Sequence, residues 1–185
     1  STLLASSAAS DVYKRQEAIA AAKNADYVIF VGGLNKNPYQ DCENTDRAGL
    51  GLPYGQDKVI TELTKINRNV IVVNISGNAV AMPWIKDVAA VVQGWYSGSE
   101  AGNAIADVLS GDVNPSGKLP FTFPVRLEDV GAHAKGEYPG NADAFKCNKD
   151  TMPEYYKDDI FVGYRHADKI KNAPCLLYTS DAADE

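Results

Sequence analysis

Three acidic residues and an arginine crowd one polar stretch of the chain, residues 32–53 (GGLNKNPYQDCENTDRAGLGLP), where Asp41, Glu43, Asp46 and Arg47 fall within seven positions. Carboxyl groups at that density suit proton transfer. A carboxyl group keeps its proton near neutral pH when apolar or like-charged neighbours disfavour the anion, and loses it when a cation stands close. Here the neighbouring acids push one way while Arg47 and Lys36 push the other, and the residue types alone leave the balance open. The same side chains read equally well as solvated loop charges or as caps on a following helix. Calcium is a poorer fit, because the stretch lacks the ligand spacing and closing glutamate of an EF-hand. The Gly32-Gly33 pair after an apolar run hints at a nucleotide-binding turn, yet the third glycine and an immediate helix are missing.

Such a loop needs a frame to hold it, and the rest of the chain supplies the signature of one. Apolar runs alternate with helix-period stretches, which predicts an α/β fold with an open, mostly parallel sheet and helices on both faces, an α/β sandwich. Residues 17–24 read as the end of a helix. Residues 26–33, 69–75 and 88–92 read as short strands buried on both sides. Between them, residues 56–66 place Val59, Ile60 and Leu63 on one helical face, and residues 100–109 form another helix. The turn over residues 76–83 is expected to give Gly77 and Asn78 positive φ. Residues 112–117 (DVNPSG) are turn formers, residues 119–123 (LPFTF) predict an edge strand, residues 125–158 a long loop, and IFVGYRHAD from residue 160 a strand leaving the domain. Ligands of open α/β sheets bind where loops leave the carboxyl ends of the strands, so the acidic stretch after the first of these strands is the candidate site.

Composition narrows the classes of function. With 45% hydrophobic and 23% charged residues the chain falls among soluble globular proteins. Its net charge of −6 argues against nucleic acid or an anionic membrane as partner, and no apolar run is of membrane-spanning length. Both ends stand apart from the rest. Residues 6–16 (SSAASDVYKRQ) resemble a translated transposase adapter used in sequencing-library preparation, and residues 175–185 (CLLYTSDAADE) resemble a translation of its reverse complement. Residues 1–16 and 175–185 are therefore expected to be adapter-derived rather than native. Without them the charge is −4, since Lys14 and Arg15 outweigh Asp11 by one and Asp181, Asp184 and Glu185 take away three negative charges. Cys42 and Cys147 then remain, too far apart in sequence for a disulfide framework or a metal-ligand pair. His133 and His166 likewise lack companions at ligand spacing, and no metal or cofactor is expected.

Residues 94–124, GWYSGSEAGNAIADVLSGDVNPSGKLPFTFP, set aromatic, glycine, acidic and proline positions around one short helix. Together with CENTDR from residue 42, LPYGQDKVI from 52, SGNAVAMPW from 76 and IFVGYRHAD from 160, they resemble the second domain of glycoside hydrolase family 3, the β-glucosidase and β-xylosidase type. The resemblance covers nearly all of residues 17–174. It implies that residues 17–159 are that C-terminal α/β sandwich domain and that residues 160–174 begin a link to a fibronectin III-like domain. It also implies a retaining, exo-acting hydrolysis of β-linked glycosides, β-glucosides foremost. In this family an acid/base glutamate sits in a pattern similar to Glu-Gly-x-Asp-Arg, which places Glu43 as the acid/base, Asp46 and Arg47 at the Asp-Arg positions, and Asn44 where glycine is common. Tyr39, Asp41, Asp46 and Arg47 are expected to support Glu43 or to lie near the substrate, Asp46 and Arg47 as a pair that fixes its loop.

The resemblance further implies that the nucleophile is an aspartate on an N-terminal (β/α)8 barrel, so that residues 17–174 alone are expected to be inactive. It implies a periplasmic or secreted setting. The alternative of a different class is a carbohydrate-binding or structural domain in a family member that has lost catalysis. For the remaining residues the expectations are structural. Trp95 and Tyr96 are expected to pack rather than to stack on a sugar face, the alternative for an aromatic pair, Trp84 to anchor a short helical turn on the sheet, and Glu100 to sit in the first turn of its helix, where a negative charge favours the dipole.

Overall fold

The computed structural model of the chain describes residues 2–5, 12–43, 45–137 and 157–170. They form two compact units, residues 1–116 and 117–185. The first holds a sheet of four described strands, β1 (Thr2–Ala5), β2 (Val28–Gly33), β3 (Val70–Ile75) and β4 (Ala90–Gln93), all parallel and in the spatial order β1-β2-β3-β4. Helices α1 (Val12–Lys23) and α2 (Gln56–Thr64) join the first three strands, and α3 (Ala101–Ser110) follows the fourth. The open parallel sheet expected from the alternating pattern is the architecture observed.

Side-chain alternation explains the layers. Val28 and Phe30 of β2 and Val70 and Val72 of β3 pair in register and are almost fully buried, so they share one face of the sheet. α2 covers that face with Val59, Ile60 and Leu63, the stripe read from the sequence, and Gln56 extends it by one turn. α1 packs against α2, as right-handed crossovers between successive strands require. On the opposite face, a Cβ on Gly94 would meet Ile75 and lie 3.4 Å from Ile105 of α3, which places that helix on the other side. Asn67 ties the start of β3 to the end of α1 by donating to the carbonyl of Ala22 in its last turn, which the helix leaves without a partner, and to that of Ala25 just beyond it.

At the amino terminus Thr2–Ala5 form β1, paired with β2 from Thr2↔Val28 to Ala5↔Val31, and α1 begins at Val12, with its Arg15 meeting Glu62 of α2 at 3.3 Å. Two local expectations are corrected. Gly77 and Asn78 do not take positive φ; the glycine is there for space, because a Cβ would stand 3.0 Å from Tyr96 and 3.2 Å from Asp41. Trp84 is buried as expected, but in a run of turns rather than a helix, with its indole N–H on Asp57 at 2.8 Å.

The second unit departs further. Residues 119–123 form no strand, since Pro120 and Pro124 bracket the segment and proline cannot donate to a ladder; Phe121 and Phe123 stack instead at 5.5 Å between centroids. Part of the expected loop is helical, with a 3-10 turn over Leu127–Asp129 followed by α4 (Gly131–Ala134). The strand expected from residue 160 is replaced by α5 (Tyr164–Ile170), which starts after Gly163 turns the chain at φ 60°. Cys147 and Cys175 lie outside the described residues.

Candidate active site

The acidic stretch leaves the sheet at a point fixed by Gln56. Its side-chain amide accepts from Gly33 N at 2.7 Å and donates to Gly33 O at 2.8 Å, so the first residue of α2 grips the last residue of β2. A Cβ on Gly32 would lie 2.3 Å from that amide oxygen, and one on Gly33 would lie 2.0 Å from Ile75 O. The glycine pair therefore serves close packing against the Gln56 side chain and the β3 backbone, and a cavity of about 350 Å³ opens beside it.

Beyond Leu34 the chain folds on itself. Asp41 N donates to Asn35 O at 2.9 Å, and Gln40 uses its side chain both to accept from Asn35 N at 3.1 Å and to donate to the Tyr54 hydroxyl at 2.6 Å. Hydrogen bonds from Asn37 and then Gln40 favour the phenolate and draw the Tyr54 pKa down. Next comes a tight turn closed by a bridge between Cys42 and Thr45, whose hydroxyl also accepts from Tyr39 N at 2.9 Å. The same hydroxyl, 2.8 Å from the Cys42 sulfur, lowers the thiol's pKa. Glu43 stands in this turn, exposed, and among the described residues no hydrogen bond or ion pair engages its carboxylate. A carboxyl group presented in this way is available to a ligand.

The flanks of the turn are anchored to the other strand ends. Asp41 accepts from Gly77 N at 2.6 Å, from Asn78 Nδ2 at 2.6 Å and from the Tyr96 hydroxyl at 2.8 Å. Arg47, half buried, donates through Nη2 to Asn78 Oδ1 at 2.5 Å and to Ala79 O at 2.6 Å. Burial lowers the Arg47 pKa and the charge of Asp41 opposes that shift. Tyr96 has its pKa pushed up to about 12, by burial first and then by its bond to Asp41, so its hydroxyl remains a donor. Under the Asp41 contacts lies a buried polar cluster. Asn74 donates to Ser76 Oγ and Gln93 Oε1, and Ser76 Oγ donates to Asn78 O.

The structure thus carries Tyr39, Asp41, Glu43, Asp46 and Arg47 on one loop at the carboxyl ends of the strands, but it does not pair Asp46 with Arg47. Asp46 is exposed, and the guanidinium turns to Asn78 Oδ1 and Ala79 O, which both accept from Nη2. Tyr96 corrects the packing assignment, being 43% exposed and bonded to Asp41. Asn78 is the other participant that motif reading overlooked. The available signal was position: Asn78 follows β3 and Tyr96 follows β4, which contains no buried residue, both on the rim that receives the acidic loop. Backbone strain gathers there as well, with Tyr39, Tyr54 and Trp95 at φ 65°, 60° and 51°, a conformation that side-chain-bearing residues adopt at a cost. Tyr39, Gln40, Arg47, Leu52 and their neighbours line a cavity of about 240 Å³ beside the turn. Among the described residues no group of three or more His, Cys, Asp or Glu could hold a metal ion, and no helix is long and apolar enough to cross a membrane.

The sequence profile of the Glycosyl hydrolase family 3 C-terminal domain matches residues 5–164. The chain is 52% identical over 166 residues to Beta-glucosidase BoGH3A of Bacteroides ovatus, which covers 89% of the chain and 21% of that protein. It is 46% identical over 154 residues to Beta-glucosidase B of Emericella nidulans, covering 82% of the chain and 18% of that protein. Among solved structures it is similar to a beta-glucosidase from Kluyveromyces marxianus in complex with glucose, with a TM-score of 0.74 and 34% identity over 91% of the chain and 19% of that one. A second is DesR, a beta-glucosidase from Streptomyces venezuelae in complex with D-glucose, with a TM-score of 0.76 and 33% identity over 90% of the chain and 20% of that one. The chain spans about a fifth of the length of these proteins.

Proposed function

The chain belongs to the glycosyl hydrolase family 3 C-terminal domain family, and on that premise we propose that it is the acid/base-bearing module of a retaining, exo-acting β-glycosidase that hydrolyses β-glucosides. Its partner in that reading is an N-terminal (β/α)8 barrel that holds the sugar and carries the nucleophilic aspartate. Attack of that aspartate on the anomeric carbon breaks the glycosidic C–O bond while Glu43 gives its proton to the departing oxygen. A water then attacks the same carbon, its proton passes to Glu43, and the aspartate is released. Retention requires the two carboxyl groups to come within roughly 5 Å of each other. Tyr39 and Asp46, exposed on the same loop, are placed near the leaving group in this reading, with Asp41 and Arg47 supporting the turn.

The observation that carries the reading is the Glu43 carboxyl itself, exposed on a turn at the carboxyl rim of the sheet between two anchored flanks. In the full-length parent, Glu43→Ala is expected to slow hydrolysis of unactivated aryl and alkyl β-glucosides by about 10²- to 10⁴-fold, the usual contribution of a general acid. Azide should restore turnover of an activated glucoside and yield a β-glucosyl azide. Unchanged hydrolysis with no azide product would remove Glu43 from the mechanism.

A further inference from the structure

We propose that Asn78 is a positioning residue that pins both flanks of the proton-donating turn at once; this rests on the reading of Glu43 as acid/base. Asp41 precedes Glu43 by two residues and Arg47 follows it by four, and both reach the same side-chain amide. Asn78 Nδ2 donates to Asp41 at 2.6 Å and Asn78 Oδ1 accepts from Arg47 at 2.5 Å. An ionised carboxylate only accepts and a guanidinium only donates, so the amide has one workable orientation. A single planar group therefore sets the distance between the two stems of the turn. Asn78 is in turn fixed from below, because its carbonyl accepts from Ser76 Oγ at 2.8 Å and Ser76 belongs to the buried cluster of Asn74 and Gln93. Gly77 N and Tyr96 add donors to the Asp41 side of the same joint.

Asparagine is well matched to this place. Aspartate would repel Asp41, and alanine would cut the link between the stems, leaving Asp41 on Gly77 and Tyr96 and Arg47 on Ala79 O alone. Asn78 is exposed, so the joint contributes little to stability, whereas proton transfer to the leaving oxygen tolerates little displacement. The consequence is a residue whose loss shows in catalysis before it shows in melting.

The test uses the full-length parent and two kinds of β-glucoside, one with 2,4-dinitrophenol, which departs without a proton, and one with phenol or an alkyl alcohol, which needs one. Asn78→Ala is expected to lower kcat/KM for the unactivated substrates roughly 10- to 100-fold, the scale of an ångström's misplacement, and to leave it within about twofold for the dinitrophenyl substrate. For that activated substrate kcat and KM should fall together, because return of the water's proton to Glu43 becomes slow while the first step does not. Asn78→Asp, which keeps the size and the Arg47 bond, should shift in the same direction. The pair Asp41→Asn with Asn78→Asp restores complementary donor and acceptor and should recover most of the loss. Equal losses on both kinds of substrate, no loss, or a swap that recovers nothing would each overturn the assignment. Glu43→Ala measured alongside separates the two readings. If Glu43→Ala discriminates between leaving groups and Asn78→Ala does not, only the positioning role fails; if Glu43→Ala does not discriminate, the acid/base assignment and this one fail together.

Discussion

The loop between β2 and α2 is held at its two ends by unlike means. At the α2 end, Gln56 is 3% exposed and answers both backbone groups of Gly33, while Asp57 accepts from Trp84 Nε1 at 2.8 Å and Leu52 N at 3.0 Å. Burial raises the Asp57 pKa, and its hydrogen bonds only partly offset that. At the Glu43 turn, Asp41 and Arg47 make five bonds, four of them to Asn78, Gly77 and Tyr96, which are exposed, and the fifth to the half-buried Ala79 O. A buried polar group that loses its partner is stranded without water, so the first end is fixed; an exposed one exchanges its partner for water at little cost. One loop thus combines an immovable root with a turn that is aligned rather than locked.

Three substitutions measured in thermal and denaturant melts sharpen or break that contrast. Trp84→Ala empties a site 1% exposed and strands Asp57 Oδ1, and should cost about 3–5 kcal/mol. Gln56→Ala leaves Gly33 N and O without their partner and should cost about 1–3 kcal/mol; a chain that melts with the unsubstituted one would show that the root is not what fixes the loop. Tyr96→Phe removes one exposed bond to Asp41 and should cost less than about 1 kcal/mol at neutral pH. Its effect on pH dependence is the more telling. With the Tyr96 pKa raised from its ordinary 10 to about 12, the folded chain keeps a proton that the unfolded chain has lost between those values. Stability from this group is therefore complete below pH 10 and lost as pH rises through about 12, and Tyr96→Phe should flatten that decline. A Tyr96→Phe chain destabilised as much as Gln56→Ala would erase the difference between the two ends.

Much of the frame was legible because its signals are local. β2 and β3 read as buried apolar runs, and Val59, Ile60 and Leu63 as one helical stripe, since burial on a period leaves its mark within ten residues. The acidic loop was legible as a candidate because carboxylates are dense in it, whereas singling out Glu43 rested on the resemblance of CENTDR to the family's pattern. Gln56 was not, because a polar residue at the head of an apolar stripe looks like its end, and only the chain reversal at Gly33 gives that amide something to bind. Asn78 and Tyr96 were hidden for another reason: the groups they hold are 31 to 55 residues away in sequence, and no period reports a meeting of that kind. Tyr96 depends in addition on the positive φ of Trp95, a tertiary choice that propensity disfavours. The helix over Tyr164–Ile170 shows the opposite failure, in which the β-branched residues at 160 and 162 suggested a strand that ended before it began.

The order β1-β2-β3-β4 carries a last consequence. Open parallel sheets form a crevice where strand order reverses and adjacent loops part toward opposite faces. The four described strands run in unbroken succession, so no reversal of strand order lies among them, and the acid/base proposed at Glu43 has only the small loop cavity beside it. In the proposed enzyme, tuning of turnover would then fall to the seam where this edge meets the sugar-holding body, and small changes of seating there would alter rate without touching a single catalytic atom.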